Sequence, residues 1–295
     1  MTRVDARALL KQRVVAVINI SSGGCDATSA DRIRTVMDAA GLSQAKIVVV
    51  TADEAAAALD QAIAQAEVLV LLGGDGTIMT AAGKCGPASV PMIPLPGGTV
   101  NMLPKALYGR IGWEQALADT LADPQVRAVS GGKVGRRPFY CVAILGAPAL
   151  WADAREAMRH GDLTQAVTRS MTAIRRSGSE PLTYQFGDSL AGCAEAVAVI
   201  CPLVSQVLTQ DELSLEAVAL DPETAAEAFR LAFHAMFDDW RHDPSVKRVK
   251  VKTVKVTGHG RLPVILDGET IRIGRTVSIT FQPAAFDAIV PVDRT

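Results

Sequence analysis

The feature that most constrains this chain is a glycine-rich segment, Gly73-Gly74-Asp75-Gly76-Thr77, which directly follows an apolar run at residues 68–72. A short apolar run that stops at glycines is typical of a strand buried on both faces of a parallel sheet. A helical pattern follows from Ile78, so the segment predicts a strand–loop–helix unit. In open α/β sheets, ligands bind at such loops, beyond the carboxyl ends of the strands.

The rest of the chain divides into two parts by its pattern of apolar residues. Residues 1–122 alternate between apolar runs and helical spacing, which predicts an α/β domain with a parallel sheet: strands at 14–18, 47–50 and 90–93, helices at 31–40 and 53–65. Residues 123–285 predict a second, β-rich, sandwich-like domain. Its predicted strands are 139–145, 196–200, 246–256 and 276–281, and its predicted helices are 163–176 and 222–240.

The composition of the first glycine segment indicates phosphate chemistry. Glycines let backbone N–H groups approach phosphate oxygens, and the N-terminus of the following helix adds a positive end. Asp75 would repel a polyphosphate unless a cation or a network of hydrogen-bond donors lay between them. We expect Mg²⁺ in this place, so Asp75 indicates phosphoryl transfer rather than dinucleotide redox chemistry. A plain strand-to-helix turn is the alternative interpretation.

Two further loops are expected at the same edge of the sheet. The second loop runs from Pro94 to Asn101 and contains Gly97, Gly98 and Thr99, while the first strand ends in small polar residues: Asn19, Ser21, Ser22, Gly23 and Gly24. Their hydroxyl and amide groups suit phosphates. The P-loop and dinucleotide-binding glycine patterns are both absent, which excludes those two enzyme classes as the simplest interpretation.

Together these motifs resemble the diacylglycerol kinase catalytic-domain family, which includes bacterial lipid kinases and the sphingosine and ceramide kinases. The segment from Gly73 to Thr77 resembles the family's Gly-Gly-Asp-Gly-Thr motif. Gly98, Thr99 and Asn101 resemble its Gly-Thr-Gly-Asn loop, Asn19 to Gly23 resemble its Asn-Pro-x-Ser-Gly start, and Thr51 matches a threonine near the nucleotide. The chain departs from the family at Ile20, usually proline, and at Val100, usually glycine.

The resemblance extends to an acidic motif near the end of the chain, Leu266-Asp267-Gly268-Glu269. In an extended segment, Asp267 and Glu269 would project to one face, where one of them could accept the proton of a lipid hydroxyl. A hairpin turn of the Asp-Gly type is the alternative. The family also implies a metal-supporting aspartate before a strand of the second domain. The nearest match is Asp211, for which a solvated turn is the alternative.

Charge and cysteine usage restrict the partners. Thirty basic and thirty-one acidic residues, with 4% aromatics, argue against nucleic acid. Five cysteines without a Cys-x-x-Cys pair indicate a reducing cytoplasm, and no apolar run is long enough to span a bilayer.

Lysines and arginines between residues 247 and 255 form either an exposed strand face or a surface for peripheral contact with anionic lipid. The oligomeric state, a homodimer included, stays open.

The sequence therefore predicts an ATP- and Mg²⁺-dependent lipid kinase whose active site lies in a cleft between the two domains. The resemblance implies that residues 286–295 return to the first domain. Two other functions remain as alternatives: a kinase with a soluble acceptor, of the NAD kinase type, and a catalytically weak regulator that binds nucleotide or lipid. The acidic motif and the form of the second loop favour a lipid acceptor over NAD, whereas the substitutions at Ile20, at Val100 and around Asp211 are the argument for weak catalysis.

Overall fold

The computed structural model describes residues 5–146, 181–205, 207–209, 212–220 and 247–292. The helices predicted at 163–176 and 222–240 lie outside the described residues, as does Asp211. The chain forms two compact units: unit 1 is Met1–Ser130 with Pro283–Thr295, and unit 2 is Gly131–Gln282. The boundary predicted near residue 123 lies where a long strand begins, and that strand continues through the division between the units.

Unit 1 alternates strands and helices, as the sequence pattern predicts. Its elements are α1 (Ala6–Leu10), β1 (Val14–Asn19), α2 (Ser29–Ala39), β2 (Lys46–Val50), α3 (Ala55–Gln65), β3 (Val68–Gly73), α4 (Asp75–Ala88), β4 (Met92–Pro96), α5 (Met102–Tyr108) and α6 (Trp113–Ala122). The strand β5 (Pro124–Val134) follows and passes into unit 2.

The parallel sheet of unit 1 places three strand ends side by side. Strands β2, β1, β3 and β4 lie in that order and all pairs are parallel. Every residue of β1 and β3 is buried, which explains their uninterrupted apolar sequences. The last strand of the chain joins this sheet beside β4, where Ala288 pairs with Met92 in parallel.

Unit 2 contains short antiparallel strands. They are β6 (Arg137–Phe139), β7 (Val142–Gly146), β8 (Leu182–Phe186), β9 (Leu190–Ala194), β10 (Ala196–Ile200), β11 (Leu215–Leu220), β12 (Lys247–Val251), β13 (Thr253–Thr257), β14 (Pro263–Leu266), β15 (Glu269–Arg272) and β16 (Thr276–Pro291), whose second half belongs to unit 1.

The strands of unit 2 form two sheets around one apolar core. One sheet has the order β12-β11-β10-β7-β14-β15, and the other places β8 and β9 beside β13 and the first half of β16. Tyr184 and Val254 from one sheet share a buried cluster with Val199 and Val264 from the other. Alternating side chains thus fill a sandwich core, and the predicted α/β unit followed by a β-rich, sandwich-like one is confirmed.

Several predicted element boundaries were wrong. Helix α4 begins at Asp75, not Ile78, so Asp75, Gly76 and Thr77 form its first turn. Each of the runs at 139–145 and 246–256 is broken into two strands, the first around Tyr140 and Cys141 and the second at Lys252. The run at 276–281 continues to residue 291, past Pro283 and a left-handed Ala284.

Candidate nucleotide site

The three predicted loops lie together at the carboxyl edge of the parallel sheet. The Gly97 N–H donates to the carbonyl of Gly73 at 2.9 Å, and the Gly24 N–H donates to the carbonyl of Gly97 at 2.8 Å. The loop after β4 is therefore hydrogen-bonded on one side to the end of β3 and on the other to the loop after β1. Sequence spacing alone predicts a common edge, and the backbone hydrogen bonds show that the loops are in direct contact.

Glycine is required at these positions because main-chain atoms of the neighbouring loops are in direct contact there. A Cβ added to Gly98 would lie 2.8 Å from the Cα of Gly74 and 3.1 Å from Oδ1 of Asn101. A Cβ added to Gly97 would lie 2.9 Å from the nitrogen of Gly73. Real Cβ atoms do not approach so closely, so any side chain at these positions would force the loops apart.

Side chains from the first loop fix the start of helix α4. Ser22 Oγ accepts a hydrogen bond from the Gly74 N–H at 2.9 Å, and the side-chain amide of Asn19 donates to Thr77 Oγ1 at 3.0 Å. Asn19 also accepts the Ser21 N–H through Oδ1 at 3.0 Å. Asn19 is 4% exposed, so its polar atoms are buried in making these bonds.

Asp75 holds the second glycine loop against the first. It occupies the first turn of α4, and its two carboxylate oxygens accept the backbone N–H groups of Asn101 at 2.9 Å and Met102 at 2.6 Å. Met102 begins α5, so Asp75 satisfies orphan donors at a helix N-terminus. The cross-link explains why a carboxylate stands in a glycine loop, in addition to any interaction with a cation.

Asn101 adopts the left-handed backbone conformation, with φ 54°. This conformation is strained for most residues and comparatively tolerated by asparagine. Its side chain closes a small ring with Gly98, since Oδ1 accepts the Gly98 N–H and Nδ2 donates to the Gly98 carbonyl, both at 2.7 Å. The side chain of Asn101 thus shapes the loop that carries Thr99.

The site offers donors suited to a polyphosphate. The first-turn N–H groups of α4, at Asp75, Gly76 and Thr77, have no partners within the helix, and helix N-termini attract anions. Thr99 and Ser21 are exposed beside them. These small residues and donors fit a nucleotide phosphate chain.

A magnesium ion is also compatible with this site, although the site has fewer ligands for a cation than hydrogen-bond donors for a phosphate. Asp75 is the acidic residue in the first turn of α4, and Mg²⁺ is commonly held by one or two carboxylates together with substrate phosphates. Among the residues that the structure describes, no cluster of three or more metal-ligating side chains occurs. Asp75 would therefore supply a single protein ligand to an ion that the phosphates also hold.

Thr51 lies next to the first loop, at the end of β2. The N–H of the next residue, Ala52, donates to Ser21 Oγ at 3.1 Å. The Thr51 backbone N–H and hydroxyl both donate to the carboxylate of Glu54, which lowers the pKa of Glu54, the backbone bond contributing most. Thr51 is thus at the predicted edge, with its hydroxyl engaged by a neighbouring side chain.

The two residues that depart from the family pattern are both exposed at these loops. Ile20 is 39% exposed and Val100 is 41% exposed. Their apolar side chains therefore lie at the surface beside Asn19 and Asn101, and neither replaces a polar contact within the loops. The substitutions change the rim of the site, while the hydrogen bonds beneath it are intact.

The acidic motif in unit 2 has a different geometry from the predicted one. Asp267 and Gly268 form the two-residue turn between β14 and β15, with φ 46° and 91°, as in a type I′ hairpin. The prediction that Asp267 and Glu269 project from an extended segment to one face was wrong. Asp267 is 4% exposed, whereas Glu269 is exposed.

The Asp267 carboxylate is anchored to the connection between β6 and β7. It accepts the backbone N–H groups of Tyr140 at 2.6 Å, Cys141 at 2.9 Å and Val142 at 2.7 Å, and the Asp267 N–H returns a bond to the Val142 carbonyl at 2.9 Å. Buried Cys201 lies close enough that burial, and secondarily the charge of Asp267, raise its thiol pKa. The Asp267 carboxylate therefore fixes the β14–β15 hairpin to the β6–β7 connection of unit 2.

Cys25 is a residue of the nucleotide site that the sequence analysis did not identify. Its thiol is half-buried and points to the Gly97 carbonyl, with Sγ and O 3.7 Å apart. Burial, and secondarily the charge of Asp26, raise the pKa of Cys25 to about 11. The signal available in the sequence was its position directly after Gly23 and Gly24.

Alkylation of Cys25 should report on the site. Because its pKa is about 11 instead of 9.0, we expect reaction with iodoacetamide near pH 8 to be about 100-fold slower than for an ordinary thiol, and to accelerate until the pH passes about 11. ATP should slow it further. Peptide mass spectrometry measures the rate, with exposed Cys193 as the internal reference. Rapid reaction at neutral pH would contradict the burial of this thiol.

Gly98→Ala tests the contact between the two glycine loops. Because the added Cβ meets the Cα of Gly74, we expect ATP affinity to fall about tenfold or more, the equivalent of the 1–3 kcal/mol that overpacking costs. Isothermal titration with ATP and Mg²⁺ measures it. Gly260→Ala, where a Cβ would meet nothing within 4 Å, is the matched control. Equal affinities of the two variants would contradict the loop contact as described.

Fold and site together define an α/β unit with glycine loops beyond the carboxyl ends of its parallel strands. Residues 13–134 match the family model of the diacylglycerol kinase catalytic domain. The resemblance drawn from the motifs is thereby confirmed for a segment that contains all three loops. No curated protein sequence matches the chain.

Solved structures agree in fold over nearly the whole chain. Three solved structures from Bacillus anthracis str. Sterne superpose with TM-scores of 0.71, 0.69 and 0.71 at identities of 17%, 15% and 18%. Each covers 94% of this chain, and the chain covers 96–97% of each. One is described as a diacylglycerol kinase and the other two provisionally so. At these identities the likeness establishes the fold.

Among the described residues, no helix has the length and apolar character needed to cross a bilayer.

Proposed function

We propose that this protein transfers the γ-phosphate of ATP to the hydroxyl group of a lipid. The observation that carries the proposal is the convergence of three hydrogen-bonded loops on the N-terminus of α4, where Asp75 supplies a carboxylate, inside the segment that matches the diacylglycerol kinase catalytic domain. Such an arrangement of backbone donors and one acidic side chain suits a phosphate chain carried with Mg²⁺.

In this proposal, the residues of unit 1 bind and orient the nucleotide. The N–H groups of Gly76 and Thr77 hold phosphate oxygens, and the hydroxyl groups of Ser21 and Thr99 add further donors. Mg²⁺ would neutralise charge on the phosphates, with Asp75 as its protein ligand. Asp211 is kept as a second metal-supporting residue on the strength of the family resemblance alone.

The acidic motif supplies the acceptor side of the reaction. Asp267 uses three of its roughly four acceptor positions on backbone N–H groups, so it acts by positioning the hairpin. Glu269, two residues later and exposed, keeps its carboxylate available to accept the proton of the attacking hydroxyl. This assignment separates two carboxylates that the sequence left equivalent.

A catalytically weak regulator that binds nucleotide or lipid is the second candidate. The exposed apolar side chains of Ile20 and Val100 at the rim favour it, because the family usually has proline and glycine there. A rim altered in this way could reduce the rate of transfer while the intact loops still bind ATP. Binding without turnover is the distinguishing result.

The test is transfer of label from [γ-³²P]ATP, with Mg²⁺, to a panel of lipid extracts and soluble acceptors that includes NAD. We expect label in a lipid. Label in NAD would move the protein to the soluble-acceptor kinases and overturn the proposal. ATP binding without label in any acceptor would establish the weak regulator instead.

A further inference from the structure

A cavity of about 670 Å³ opens at the opposite edge of the unit 1 sheet from the glycine loops. It is formed where β1 and β2 begin, at Val14 and Lys46, together with the ends of α1 and α3. Strands of five or six residues at about 3.3 Å each separate this edge from the loops by roughly 15–20 Å. The cavity is therefore not part of the candidate nucleotide site.

The cavity is lined by cations and by no carboxylate. Its four charged lining residues are Arg7, Lys11, Arg13 and Lys46, all exposed. Arg7 is paired with Asp123, and Arg13 is paired with Glu67, both acids lying outside the lining.

The two lysines lack acidic partners. The Lys46 ammonium donates only to the neutral Gln65 side chain, at 3.1 Å, and that of Lys11 has neither a hydrogen bond nor an ion pair with any residue in the described part of the chain. Among the described residues, these two ammonium groups therefore have no carboxylate partner.

Helix C-termini at this edge offer an alternative reason for basic residues, since their carbonyl groups attract cations. Those carbonyls have other donors, however. Arg7 donates to the carbonyl of Ala122 at the end of α6, and the backbone N–H groups after α1 and α2 bond the last carbonyls of those helices. Arg34, outside the lining, donates to the carbonyls of Ser43 and Ala45. Lys11 and Lys46 are not needed for this role.

Apolar side chains line much of the cavity, together with Gln12, Gln44 and Gln65. Leu10 and Val14 are buried in its wall, and Leu42, Leu121 and Pro124 complete it. The volume lies within the range of sites for small ligands. Ammonium groups without a described carboxylate partner, in a lining that also contains apolar side chains, are complementary to a phosphate headgroup attached to a hydrocarbon chain, more than to a free, fully hydrated phosphate.

We propose that this cavity binds the phosphate headgroup of an anionic lipid and so holds unit 1 at an acidic membrane surface. The inference deepens the proposed function, because a lipid kinase meets its acceptor at such a surface, yet the binding itself requires neither ATP nor catalysis. It also places the membrane contact in unit 1. The lysines predicted as one basic stripe instead lie in two different sheets of unit 2, Lys250 on β12 and Lys255 on β13.

The experiment is co-sedimentation of the full chain, without ATP, with phosphatidylcholine vesicles that contain or lack phosphatidic acid. Each membrane-adjacent lysine contributes about 1 kcal/mol, so the double variant Lys11→Gln/Lys46→Gln should bind the acidic vesicles about 30-fold more weakly than the unaltered chain. The matched control is Lys252→Gln/Lys255→Gln, two exposed lysines of unit 2, which should bind as the unaltered chain does. Equal urea midpoints establish that all three proteins are folded.

Four other binding results would each overturn the proposal. Equal losses in both variants would show a diffuse charge effect, and loss only in the control would move the contact to unit 2. Failure of the unaltered chain to bind acidic vesicles would remove the site altogether. Complete displacement by soluble glycerol 3-phosphate would identify a free phosphate as the ligand instead of a lipid. Absence of kinase activity, measured separately on detergent-dispersed acceptors, would count against the proposed function alone.

Discussion

Asp75→Asn is expected to lower phosphate transfer by about 100- to 1,000-fold, the usual result of removing one preorganised electrostatic group from a transfer site. Asparagine keeps the shape but loses the negative charge that a cation needs. It also directs an N–H₂ group at the backbone N–H of either Asn101 or Met102, both of which now donate to the carboxylate. Initial rates of label transfer at saturating ATP measure the effect.

The control for this variant is Asp31→Asn, an exposed carboxylate in the first turn of α2, which should transfer phosphate at the original rate. Thermal unfolding of both variants separates loss of chemistry from loss of the α5 cap, which costs about 1 kcal/mol. Undiminished transfer by the Asp75 variant would mean that the carboxylate is only a structural cross-link, and the proposed role with Mg²⁺ would be wrong.

Asp267→Ala should destabilise unit 2 by about 3–5 kcal/mol, because it leaves three backbone N–H groups of the β6–β7 connection without their shared acceptor in a buried place. Hydrogen exchange read by mass spectrometry measures this directly. The amides of Tyr140, Cys141 and Val142 should lose protection first. The matched variant is Glu269→Gln, which alters an exposed carboxylate of the same hairpin and should leave exchange unchanged.

Activity measurements on the same pair distinguish the two carboxylates. If Glu269 accepts the proton, Glu269→Gln should lower transfer about 100-fold or more at unchanged stability. The opposite pattern, in which Asp267→Ala keeps its amide protection but loses transfer while Glu269→Gln is fully active, would assign the base to Asp267. It would also contradict the positioning role derived from its hydrogen bonds.

The sequence predicted the parallel sheet well because a strand that is buried on both faces has an uninterrupted apolar sequence. The runs at 14–18 and 68–72 are uninterrupted apolar segments, and both are fully buried strands in the structure. The acidic hairpin was harder, because Asp-Gly serves equally as a turn and as part of an extended site motif. Only the left-handed φ of Asp267 settles its local conformation. Hydrogen bonds that its carboxylate accepts from a connection about 125 residues away accompany this conformation.

The sequence by itself determined that β1 to β4 form a parallel sheet and that their glycine loops share one edge, since periodicity and strand direction are local properties, whereas the pairing of β16 beside β4 was not among its predictions. The tertiary structure decided what the polar side chains at those loops do. Asp75 reaches the start of α5, 26 residues along the chain, and Ser22 reaches Gly74. The basic cavity at the opposite edge of the sheet is likewise visible only in the tertiary structure, because the parallel pairing of β1 with β2 brings Lys11 and Lys46 together. Contacts between residues distant in sequence depend on packing, which no local pattern encodes.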